Sequence, residues 1–170
     1  MRTRGPGEKP PAFHYDNEIF RLDEALLQKA LALTAKARLE DNDVMRAYRA
    51  NYGYAPANEA PAVVQCDIIV SDIFRRGEQL ARQSEQWLRL LTDGAGTYCV
   101  GDQEDTAILN AMTRAARAGL MDLKRVAVLR AGSDFDRPYP GQTAYESYFA
   151  EWGRFGQAPA FANLYNVGSL

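Results

Sequence analysis

Hydrophobic positions along the chain change period several times, and each change marks an element. Leu22, Leu26, Ala30 and Leu33, with Leu27 and Leu31 beside them, keep helical spacing from about Leu22 to Leu39. A helix therefore precedes any strand. Met45 and Tyr48 predict a second, short helix, and Asn51-Tyr52-Gly53-Tyr54-Ala55-Pro56 ends it, with Pro61 closing the loop. Ala62–Val70 is apolar and β-branched, as a buried strand should be. Glu78–Leu91 returns to helical spacing, with Leu80, Trp87, Leu88 and Leu91 on the expected core face and Asp93-Gly94 at its end. Thr97–Val100 reads as a short strand. Glu104–Ala118 reads as a helix with Ile108, Met112 and Ala115 inward and Gly119 at the C-cap. Arg125–Arg130 predicts a third strand, and Gly141–Phe155 and Ala158–Val167 two more helices.

Strands alternating with helices predict an α/β fold with a partial mixed or parallel sheet and flanking helices. Three strands are few. Residues 1–14 form an expected loop or linker, since the first twelve hold three prolines, two glycines and four charges. Residues 15–170 form an expected incomplete α/β domain, the rest of the sheet coming from a missing N-terminal half.

Composition narrows the function classes. The formal charge is −2, with 25% charged and 46% hydrophobic residues, and no basic face gathers that would follow a nucleic acid. No stretch approaches the roughly 18–20 apolar residues that span a bilayer. Met1-Arg2-Thr3-Arg4-Gly5-Pro6 is basic, but no signal-peptide core follows, so localisation stays open, exported only if a complete parent carries a signal. Cys66, Cys99 and the single His14 are too few for a structural zinc set, and neither metal nor cofactor is expected. Each cysteine lies in a strand-like run and is read as a buried inert thiol; a disulfide is the alternative, and it needs an oxidising compartment.

Ligands of open α/β sheets bind beyond the C-terminal ends of the strands. That rule selects Ser71-Asp72, Gly101-Asp102-Gln103-Glu104-Asp105, and Gly132-Ser133-Asp134-Phe135-Asp136-Arg137-Pro138. Carboxylates there suit a ligand with hydroxyls to donate, such as a sugar. By position alone the acids have a second reading. Asp102 or Asp105 can cap the following helix, Ser133-Asp134 can form a turn, and Asp136-Arg137 can be a surface ion pair. Phe135 and Tyr139 can stack on a base or simply pack the loop.

Thr92–Thr97, Gln103-Glu104-Asp105-Thr106, Ala118–Asp122, and Arg125–Arg130 leading into Ser133–Pro138 stand out together, with Phe20–Glu24 and Tyr48–Tyr52 upstream. With these segments the sequence resembles the purine nucleoside permease family from about Tyr15 onward. The family resembles nucleoside phosphorylases, which implies the second half of such a fold and nucleoside uptake as the role. The resemblance further implies Glu104, beside Gln103, on the ribose hydroxyls. It implies Ser133 and Asp134 on the purine, with Asp72 and Phe135 as further ligand contacts. If the protein is an enzyme, Asp134 is the catalytic acid, provided burial raises its pKa. Cys66–Gly77 departs from the family pattern, because Arg75-Arg76 stands where a Trp-His pair is usual. Three functions follow: nucleoside binding and uptake, cleavage of the N-glycosidic bond, or an inactive truncated product. A purine nucleoside is the expected partner; homo-oligomerisation stays open.

Overall fold

A computed structural model describes residues 7–8, 19–150 and 156–170. The expected linker at 1–14 lies outside them except for Gly7 and Glu8, and so does the end of the helix expected over Gly141–Phe155. The described elements are α1 (Glu24–Thr34), α2 (Asp43–Arg49), β1 (Asp67–Val70), α3 (Glu78–Leu91), β2 (Tyr98–Asp102), α4 (Asp105–Arg117) and α5 (Gln157–Gly168). A 3-10 turn covers Leu123–Arg125 and a π-turn Glu146–Ala150. The class is α/β, as the alternation predicts.

Two compact units form. The first gathers Met1–Leu27, Cys66–Phe74 and Arg82–Ala127; the second gathers Gln28–Gln65, Arg75–Ala81 and Val128–Leu170.

The first unit holds the sheet. Strands β1 and β2 run parallel, with Ile68 opposite Val100, Ile69 opposite Gly101 and Val70 opposite Asp102. The ladder is extended at both ends: the Asp67 amide donates to the Thr97 carbonyl and the Ser71 amide to the Asp102 carbonyl, at 2.7 and 2.9 Å. The Asp67 carboxylate also accepts from the Thr97 amide at 2.7 Å. Because the strands are parallel, the loops after both C-terminal ends emerge on one edge.

Cys66 and Cys99 form a disulfide, with Cα atoms 6.0 Å apart. The expectation of two inert thiols is thus corrected. Neighbouring positions on adjacent parallel strands lie within the separation that a disulfide bridges, which the residues' distance in sequence concealed.

The expected third strand is also corrected. Val126 is extended (φ −107°, ψ 126°), but the segment to Arg130 pairs with no strand among the described residues. A β-branched run favours an extended backbone without supplying a partner edge, and tertiary context decides the rest.

Helices α3 and α4 match the expected core faces only in part: Leu88 is buried as expected, and Leu80, Leu91, Met112 and Ala115 are half-buried. In α3, Ala81, Ser84 and Leu88 are buried while Trp87 is 39% exposed. In α4, Asp105 and Leu109 are buried and Ile108 is exposed. The stripe at Asp105–Leu109 is equally helical in period, but it includes an acid, so hydrophobicity alone selected the neighbouring face. Gly119 (φ +73°) ends α4 in the left-handed conformation that its lack of a Cβ permits.

In the second unit, Asn42 caps α2 by accepting from the Met45 amide at 2.9 Å. Arg49 makes a bidentate pair with Asp41, which holds that carboxylate below its ordinary value. Tyr52, at the end of α2, is fully buried. Over Gly141–Phe155 the described part is not a continuous α-helix but the π-turn, opened by a capping box: the Glu146 amide donates to Thr143 Oγ1 at 3.2 Å, and the Thr143 amide donates to Glu146 Oε2 at 2.9 Å.

Candidate functional site

The residues expected to bind a nucleoside divide between the two units. Asp72, Gln103 and Glu104 belong to the first; Ser133, Asp134 and Phe135 belong to the second.

In the first unit the acid loop after β2 opens α4. Asp102 Oδ1 accepts from the Glu104 amide at 2.9 Å and the Asp105 amide at 3.3 Å. It thereby satisfies two of the donors that a helix start leaves without intrahelical acceptors. Burial, followed by a hydrogen bond with the Asp105 carboxyl, pushes the Asp102 carboxyl above its ordinary range. Asp102 is thus the structural acid of the loop. The Glu104 side chain makes no capping bond and is exposed. Gln103 Nε2 donates to the Asp72 carbonyl at 3.2 Å, which joins the loops after β1 and β2. Asp72 and Gln103 are therefore brought together, and Glu104 follows directly on the same loop.

In the second unit the Ser133–Pro138 loop is fastened at three points. The Tyr52 hydroxyl donates to the Arg137 carbonyl at 2.7 Å. The Phe135 ring stacks on Tyr52 at 4.2 Å between centroids, so one of its faces is already occupied. Tyr48 and Tyr139 complete the aromatic cluster, each about 6 Å from its neighbours. Finally, the Gly77 amide donates to the Asp136 carbonyl at 2.7 Å. Gly77 has φ +97°, where a side chain would be strained. Arg137 Nε lies 3.6 Å from Glu78 Oε2, so it has an ion partner outside its own loop.

The Gly77 bond sets Arg76 beside the loop. Arg76 Nη1 lies 3.9 Å from Asp134 Oδ1, at ion-pair distance but beyond a hydrogen bond. Arg76 Nη2 donates to the buried Ser147 hydroxyl at 3.3 Å, and the guanidinium lies 5.9 Å from the Tyr148 ring centroid. The Ser133 hydroxyl donates to Asp134 Oδ2 at 3.3 Å. Ser133 and Asp134 are therefore brought together, on a carboxylate that faces a cation.

Arg76, Ser147, Tyr148 and Tyr52 were not expected at the site. Arg75-Arg76 was visible as a departure from the family pattern, and Tyr52 lay in a segment that carries the resemblance. Nothing local marked Ser147 or Tyr148.

A separate cavity of about 380 Å³ lies in the second unit between Leu31, Thr34, Leu39, Pro61 and Val63. It is lined by none of the expected ligand residues. Among the described residues no cluster of His, Cys, Asp and Glu could hold a metal ion, and no helix is long and apolar enough to cross a membrane.

The purine nucleoside permease (NUP) family model matches residues 1–170. The chain belongs to the purine nucleoside permease family. A Candida albicans purine nucleoside permease is 38% identical over 160 residues, covering 94% of this chain and 39% of that protein. A Schizosaccharomyces pombe protein named "Probable purine nucleoside permease" is 32% identical over 160 residues, covering 94% of this chain and 46% of that protein. The chain thus spans less than half the length of the curated relatives it matches. No solved structure matches it. Every loop considered above lies within the family match.

Proposed function

We propose that this purine nucleoside permease family member recognises a purine nucleoside for uptake. Glu104 and Gln103 take the ribose, with Asp72 alongside, while Ser133 and Asp134 take the purine, backed by Phe135. The observation that carries the reading is the division of labour in the loop after β2. Asp102 Oδ1 accepts from the Glu104 and Asp105 amides, while the Glu104 side chain makes no capping bond and is exposed just past the end of a parallel strand. A carboxylate there can accept from two vicinal hydroxyls at once. Asp134, facing a guanidinium, can accept from an N–H of the base while that cation donates.

Isothermal titration of the chain with guanosine, inosine and adenosine tests the reading, with free base followed in the same samples. Heat without base release supports recognition for uptake. Base release that depends on Asp134 would favour cleavage of the N-glycosidic bond instead, and no heat with any of the three would refute the proposal.

A further inference from the structure

We infer that Arg76 sets base specificity, making the second unit a reader of 6-oxopurines (the class of guanine and hypoxanthine) rather than 6-aminopurines. The inference rests on the proposed nucleoside reading and adds the class of base. Arg76 is a donor-only side chain and is 9% exposed. Its Nη2 is used by Ser147, but Nε and Nη1 are buried and find no hydrogen-bond partner among the described residues. Burying such donors without acceptors is costly, so the position is one that a ligand can complete.

Two features choose the ligand's chemistry. The first is charge. Asp134 lies 3.9 Å from Nη1, so the guanidinium already faces its counter-charge. It lacks neutral acceptors rather than an anion, which disfavours phosphate. The second is the balance of donors and acceptors. Nε and Nη1 together offer three N–H groups, against one carboxylate that already accepts from Ser133. The exposed edge of a 6-oxopurine carries adjacent acceptors, O6 and N7, whereas a 6-aminopurine replaces O6 with a donor. The donor-rich guanidinium edge of Arg76 suits the former, and the amino group of the latter would meet N–H groups head-on. Tyr148 beside the guanidinium and the Gly77–Asp136 hydrogen bond hold the arginine in this position.

The test is competitive titration of the chain with inosine, adenosine and purine riboside, which lacks any 6-substituent. Wild type should bind inosine at least roughly tenfold more tightly than either competitor, the scale of one charge-assisted hydrogen bond. Arg76→Lys, which keeps the charge opposite Asp134, should bring the three ligands within about threefold, chiefly by weakening inosine. Preference for adenosine, or an unchanged ratio in R76K, would overturn the inference while leaving nucleoside recognition standing. Absence of binding by all three would remove both. If R76K fails to fold, the wild-type ratios decide alone: equal affinity for inosine and purine riboside refutes the role of O6. Inorganic phosphate serves as the control, and phosphate stabilising wild type but not R76K would show that the donors serve an anion.

Discussion

Replacing Asp102 separates its two roles, as cap and as charge. Asp102→Ala removes the acceptor for the Glu104 and Asp105 amides. Loss of an N-terminal cap costs about 1 kcal/mol, within a range of roughly 0.5–2. For a chain of this size that lowers the melting temperature by about 2–4 °C per kcal/mol. Asp102→Asn keeps an oxygen acceptor and removes the charge. Burial and the neighbouring Asp105 hold the Asp102 carboxyl above its ordinary value of 3.8. A raised folded pKa means that the stability Asp102 contributes is fully present below the unfolded value and is lost as pH rises through the folded value. Near neutral pH the Asn variant should therefore equal or exceed wild type, and the two should converge below about pH 3.8. The Ala variant should melt lower than Asn at every pH. Thermal unfolding followed by circular dichroism between pH 3 and 8 is the assay. If Ala equals wild type, or if Asn falls with Ala at neutral pH, the assignment of Asp102 as a half-buried cap is wrong.

Other perturbations have equally definite outcomes. Cys66 and Cys99 are 33 residues apart in sequence, so reduction or Cys66→Ala with Cys99→Ala should cost roughly 3–4 kcal/mol by loop entropy. Urea midpoints with and without reductant measure this, and coincident curves would contradict it. Gly77→Ala meets only the Ala144 methyl, at 4.0 Å, so its cost is conformational, about 1–2 kcal/mol, and should appear as a lower melting temperature. Tyr52→Phe keeps the ring stack and loses the bond to the Arg137 carbonyl, for about 1 kcal/mol in the same assay; no change would deny that the bond fastens the loop. Asp41 has a lowered folded pKa, caused first by its hydrogen bond with Arg49. Its contribution is present above the unfolded value and lost as pH falls through the folded one. Arg49→Ala should therefore destabilise at neutral pH and match wild type in strong acid.

Local signals carried far into the structure and stopped where pairing across the chain began. The period-3.6 stretches became α1, α3, α4 and α5, and Gly119 ends α4 as its position implied. The face of a helix was less legible than its existence. Leu109 and Ile108 are equally apolar, and only packing chooses Leu109, alongside an acid that no hydrophobic pattern would place inside. Val126–Arg130 has strand composition, yet a ladder needs a second backbone that the segment itself does not specify. The disulfide was hidden for the same reason, since its two cysteines become neighbours only through the β1–β2 register. The rule about strand ends selected three loops, but only those after β1 and β2 follow a strand among the described residues; the family resemblance suggested which acid serves which part of the ligand. Position alone left Asp102 and Asp105 both able to cap the helix, and it is Asp102 that accepts from the Glu104 and Asp105 amides. Arg76 escaped because its position depends on a long-range bond from Gly77 to the 133–138 loop.

Recognition of ribose and purine by separate acids can be tested by titrating Glu104→Ala and Asp134→Asn with inosine and, separately, with free hypoxanthine. Glu104→Ala should weaken inosine about tenfold or more and leave hypoxanthine unchanged. Asp134→Asn should weaken both ligands together. If Glu104→Ala binds inosine as wild type does, or if it loses the free base as well, Glu104 is not the ribose ligand.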